Sequence, residues 1–148
     1  MPDRHLWTRH STKTIALTGA AGNGLVNETV TVFTITGRVL VHWLAAFCTA
    51  DVVGATGTLT LGTTGDVDGF IALTTGTDID VDDWWTAAAP AAGSKSPLEV
   101  ATGGLVTSQG PKLLSENIIL GVLTATLTAG TFVFDVMYTP LTDGARLS

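Results

Sequence analysis

Residues 114–141, LSENIILGVLTATLTAGTFVFDVMYTPL, constrain the fold more than any other part of this chain. Two runs rich in Ile, Val, Thr, Phe and Tyr, residues 117–128 and 131–139, are parted by Ala129-Gly130. A glycine-containing break of this length between β-rich runs predicts a hairpin. The second run alternates, with Phe132, Phe134, Val136 and Tyr138 on one face and Val133, Asp135 and Met137 on the other. A strand apolar on most of both faces is either central in a sandwich or covered by a neighbouring subunit.

The rest of the chain reads the same way. Roughly one residue in six is threonine, which suits a half-buried pleated surface, and 17 glycines punctuate the runs. Residues 28–36 (ETVTVFTIT) form a strand in which Val30 and Val32 share one face and Phe33 and Ile35 the other. That switch predicts a bulge or a change of sheet. Residues 38–49 follow after Gly37 as a second, long strand. Residues 56–61 and 69–74 are shorter strands around a turn at 62–68, and residues 98–106 and 111–114 offer two more. Gly- and Asn-rich residues 18–27 read as a loop. A short helix near 80–89 is the one helical expectation.

Short strands parted by turns every 8–12 residues predict an all-β, antiparallel β-sandwich or jelly-roll-like single domain. The expected layout is an extended N-terminal arm over residues 1–14, the β-domain over 15–142, and a loose C-terminal tail over 143–148.

Charge narrows the partners. Charged residues are only 14% of the chain and hydrophobic ones 45%, against a usual charged share of about 25%. A surface this poor in charge points to contacts with other chains. Residues 1–14 hold Arg4, Arg9 and Lys13 against Asp3, a net of +2, which leaves −8 for the remainder of a chain whose total is −6. The acidic body argues against nucleic acid, which requires a basic face. The basic arm, with Leu6 and Trp7 as apolar anchors, is suited to dock on an acidic neighbour. No run approaches the ~20 apolar residues of a membrane span, and residues 1–14 lack the apolar core of a secretory signal.

Chemistry is sparse. Asp78, Asp80 and Asp82 alternate like the start of a calcium loop, but Asp83 stands where the loop glycine belongs and Ala89 where the closing glutamate belongs. The alternation reads as a solvated face, and no metal or cofactor is expected. Cys48, the one cysteine, follows Ala45, Ala46 and Phe47 and reads as a buried hydrophobe. His42 lies between Val41 and Trp43 in a strand, which suits a packed, hydrogen-bonded histidine. No nucleophile motif or zinc spacing occurs, so an enzyme is not expected. Trp84 and Trp85 begin a small-residue stretch and suit either a contact surface, sugar stacking or core packing of the loop.

Several segments resemble small structural proteins that tailed bacteriophages encode near their capsid genes. The pattern lies in residues 33–40 (FTITGRVL), in 59–70 (LTLGTTGDVDGF) continuing to Asp78, in Trp84-Trp85, and in 116–120 (ENIIL) through Ala129-Gly130 to Tyr138-Thr139-Pro140-Leu141. It covers roughly residues 30–142. The resemblance implies a virion protein of the capsid decoration (cement) type: made in the host cytoplasm, homotrimeric, and bound to the major capsid protein on the outside of the head. The contact residues expected from the two readings together are Arg4, Leu6, Trp7, Arg9, Lys13, Trp84 and Trp85. The alternatives are a glycan-binding fibre or spike module, using Trp84, Trp85, Asp80, Asp82 and Asp83, and a tail-tube or head-completion protein.

Overall fold

β-Branched and aromatic runs become strands wherever their alternation matches one buried face. The structure is a computed structural model that describes residues 7–86 and 111–148. Strands β1 (Arg9–Ala16), β2 (Glu28–Phe33), β3 (Ile35–Thr36) and β4 (Val39–Val53) fill the first third. β5 (Thr58–Thr63) and β6 (Ile71–Thr75) follow, then a 3₁₀ turn at Gly76–Asp78 and β7 (Trp84–Trp85). β8 (Lys112–Leu114), β9 (Ile118–Leu123), β10 (Ala129–Pro140) and β11 (Arg146–Leu147) complete the described chain.

Two antiparallel sheets face each other in a sandwich-like arrangement. The larger has the order β1-β10-β4-β7, with β8 also on β4; the smaller has the order β2-β9-β5-β6. β11 and β3 form a two-stranded ribbon. The core lies between the sheets. Phe132, Phe134 and Val136 from β10 and Trp85 from β7 meet Val32 and Phe33 from β2, Leu59 and Leu61 from β5, and Leu120 and Val122 from β9, all essentially inaccessible to solvent. The face of β10 expected to be uniformly apolar is therefore the inner face.

The predicted face switch in residues 28–36 is present. The β2–β9 register slips between Thr31 and Phe33, and the chain then leaves the smaller sheet to pair β3 with β11. The slip lets Val32 and Phe33, neighbours in sequence, both be buried. Gly37, at φ 73°, then turns the chain into β4. The β5–β6 hairpin also forms, and its turn folds back over β5. A Cβ on Gly62 would run into the backbone of Asp66 and Val67, so only glycine fits there.

Four expectations need correction. Ala129-Gly130 does not close a hairpin: β9 pairs with β2 and β5, whereas β10 pairs with β1 and β4. Residues 124–128 carry the chain from one sheet to the other. The arm does not extend to residue 14, because Arg9 to Ala16 pair with β10 along their whole length. The tail is tied down, since Arg146 and Leu147 pair with β3 and Leu147 and Ala145 are buried. Among the described residues the only helical turn near 80–89 is the 3₁₀ turn just before them, and 84–85 are a strand; residues 87–89 lie outside the described part, as does the strand expected at 98–106.

Candidate interaction surface

Two neighbouring residues of a strand point to opposite sides, so Trp84 and Trp85 cannot share a role. Trp85, opposite Ala46, is fully buried, and its Nε1–H donates to Thr74 Oγ1 at 3.1 Å. It belongs to the core and is no surface contact. Trp84, opposite Phe47, lies on the outer face of the larger sheet, half-buried, with its ring centroid 5.0 Å from that of Phe47.

Register extends this outer face across the sheet, because directly paired residues share a side. Met137 pairs with Trp43, Asp135 with Ala45, Val133 with Phe47, and Leu40 with Leu113. Leu113 is 73% exposed and Met137 42%. Over β4, β7 and β8 the face is mostly apolar, whereas β10 adds Asp135 and Thr139 and β1 adds the exposed His10, Thr12 and Thr14; Asp135 Oδ1 accepts the Thr12 hydroxyl at 2.6 Å and lies 3.0 Å from His10 Nε2. Alternation in residues 131–139 signalled this surface through Val133 and Met137. The contributions of Trp43, Phe47 and Leu113 required the register.

On the far edge of the same sheet lie three of the residues expected to make contacts. Trp7, 70% exposed, lies two residues before β1; Arg9 is exposed and Lys13 half-buried within it. Arg4 and Leu6 fall outside the described residues. Trp7, Arg9 and Lys13 are thus gathered on one edge, and β10 and β4 separate them from Trp84.

Charge is uneven along the strands: one end is acidic, and the other carries both signs, with Asp66, Glu116 and Asp143 beside the basic residues. At the Val53 end of β4, Asp51 Oδ1 accepts the Val81 N–H at 2.6 Å and Asp83 Oδ2 the Asp80 N–H at 3.0 Å. The acidic loop is thereby folded around its own backbone. Among the described residues no group of His, Cys, Asp and Glu is arranged to hold a metal ion. Burial, reinforced by Asp80, Asp82 and Asp51, raises the Asp83 carboxyl above its ordinary range. Arg38 and the β1, β8 and β11 residues Arg9, Lys112 and Arg146 stand at the opposite end. There a cleft of about 480 Å³ opens between the β5–β6 turn and β8, bounded by Lys112 and Glu116.

The remaining candidate groups are engaged structurally. Burial pushes the Cys48 thiol up to about 11, so it is not a thiolate at neutral pH. His42 Nε2 lies 2.8 Å from Thr139 Oγ1. Glu116 accepts the Gly65 N–H at 2.7 Å and the Thr64 hydroxyl at 3.1 Å, which hold its carboxyl below the ordinary value of 4.5. A depressed carboxylate stabilises the fold above its unfolded pKa, and the contribution is lost as pH falls through the folded one. Asp83 has the opposite sign, since its ionised form costs stability that is regained as pH falls. Glu116→Gln is therefore expected to lower the melting temperature at neutral pH, with the gap to wild type closing in acid, as pH falls through the depressed folded-state value. A gap that stays constant with pH would show that the carboxylate charge is not what holds the turn.

No known family model matches the sequence, and no curated protein sequence matches it. Solved structures do. A chain of the capsid asymmetric unit of cyanophage Pam1 superposes with a TM-score of 0.51 at 16% identity, over 90% of this chain and 84% of that one. A chain of the acidic stable capsid structure of Helicobacter pylori bacteriophage KHP30 gives 0.52 at 10% identity, over 96% and 98%. The chain shares its fold with proteins of two bacteriophage capsids. At these identities the likeness is one of fold.

Proposed function

We propose that this protein is a capsid decoration (cement) protein, bound as a homotrimer to the outer surface of a bacteriophage head, where it bridges major capsid protein subunits. The observation that carries the reading is the end-to-end fold match to capsid chains, 96% of this chain against 98% of the KHP30 one.

The surface supports it. An apolar outer sheet face around Trp43, Phe47 and Met137 offers a contact to another subunit, and the edge with Trp7, Arg9 and Lys13 offers a second. Contacts of a standard size, on the order of 1,600 Å² in total, repeated by each protomer of an oligomer on many identical sites, give avidity without high affinity at any one. The glycan-binding alternative loses half of its aromatic pair, because Trp85 is buried.

The test is to mix the purified protein with expanded, undecorated heads, pellet them and count bound copies. Saturable binding at a fixed ratio to the major capsid protein is expected. Absence from the shell, with the protein found only at the tail or a vertex of intact particles, would replace this reading with the fibre or tail one. Deleting residues 1–7 removes all but Thr8 of the residues ahead of β1 and leaves its ladder intact, so it isolates their share of the binding.

A further inference from the structure

We infer that the open edge of β1 is a docking site for an extended, acidic segment of a partner chain, which adds there as a further β-strand. The reading begins with backbone parity. Leu17 N–H donates to Gly130 O at 2.8 Å, continuing the unbroken register from Arg9↔Tyr138 to Ala16↔Thr131. In an antiparallel ladder alternate residues bond to the same neighbour. Odd-numbered residues of β1 therefore turn their N–H and C=O towards β10, and His10, Thr12, Thr14 and Ala16 turn theirs outward. All four are exposed, and among the described residues β1 has no strand on that side.

The other sheet edges are blunted. β7 and β8 have two and three residues, and the pairings of β2 and β6 each contain a register slip. β1 has eight residues with no slip, glycine or proline. A long regular edge is a template for an added strand unless something guards it.

The guard here is charge, and it selects the partner. Arg9 and Lys13 lie four residues apart on one side of β1, which holds no acidic residue. A second copy fits badly. Its fullest two-fold antiparallel pairing sets His10 against Ala16 and Thr12 against Thr14, which places Lys13 directly opposite its own copy, and like charges so placed are destabilising. Sliding to avoid that clash leaves one residue's outward groups unpaired in each copy. A strand with two carboxylates four residues apart, about 13 Å along the chain, meets Arg9 and Lys13 without either defect. Main-chain bonds then supply affinity and the alternate side chains specificity. Only the source of the strand, a shell subunit, rests on the decoration reading; the chemistry of the edge does not.

The test uses the full chain and a capped peptide, Thr-Glu-Thr-Val-Thr-Glu-Thr, at millimolar concentration, with hydrogen exchange read by NMR. The expected result is protection of the amides of His10, Thr12, Thr14 and Ala16. A tenfold or greater loss of affinity is expected when the two glutamates become lysines or when Lys13→Glu is introduced. Thr14→Pro removes an outward N–H and leaves the β1–β10 ladder intact, a position where proline is tolerated; it should abolish peptide binding without lowering the melting temperature. No protection of those amides by the glutamate peptide, or equal protection by the lysine peptide, would overturn the inference. If wild-type protein fails to pellet with heads, the decoration reading falls and the peptide result still decides this one.

Discussion

Replacing Trp85 by alanine is expected to destabilise the domain by about 3–5 kcal/mol, a large share of the ~5–15 kcal/mol typical of a domain. The indole is completely buried, packs at 5.6 Å against the Phe132 ring, and reaches from β7 in the larger sheet to Thr74 in the smaller one. It joins the two layers by dispersion and by one hydrogen bond. Thermal unfolding followed by circular dichroism should show a midpoint about 10–15 °C lower. Trp85→Phe should cost less, about 1–2 kcal/mol, because a ring remains and the Thr74 hydroxyl still donates to Ala72 O at 3.0 Å. A loss below 1 kcal/mol for the alanine variant would contradict the buried placement. The variant is also unsuitable for testing a sugar-binding role, since lost folding would imitate lost binding.

Leu127→Ala is expected to cost about 2–5 kcal/mol, in the upper half of that range. Leu127 sits in the crossover between β9 and β10, with no solvent exposure, and its N–H donates to Gly24 O at 2.8 Å. Its side chain lies against the backbone of Gly54, Gly57 and Gly76. Glycines have no side chain to swing into the space vacated, so the cavity stays open, and residual cavity volume sets the cost of such substitutions. Urea denaturation measures it. A loss under 1 kcal/mol would mean that the crossover collapses around the alanine and is softer than its packing suggests.

The same residue explains where sequence reading failed. Period-two alternation reports which side of a strand is buried, and it identified the face switch in β2 and both faces of β10, while β-rich runs between turn residues marked β4, β5 and β6. It does not report which strand is the partner. Leu127 is apolar and follows β-formers, so residues 117–128 read as one strand leading to a tight turn; in fact β9 ends at Leu123 and Leu127 anchors a change of sheet. The tail misled for a related reason. Ala145 and Leu147 are two apolar residues at strand spacing, too few to stand out in a polar stretch, and their burial depends on the distant β3. The Trp84-Trp85 pair was legible in principle, because adjacent residues of any strand must divide between inside and outside. The basic character of the N-terminal residues was also legible; that Arg9 and Lys13 sit on an edge strand depends on β10, far away in sequence.

That distance has a consequence for how the molecule is made. His10 and Asp135 are 125 residues apart, yet their strands lie side by side. At a translation speed of roughly 5–20 residues per second, the first strand waits about 6–25 s for its neighbour to be synthesised. The larger sheet cannot close until the chain is nearly complete, because β10 is the strand between β1 and β4. Nascent or prematurely terminated chains that end before Ala129 leave both of those strands without it, and such chains are the form of this protein most prone to aggregate in the cell that produces it.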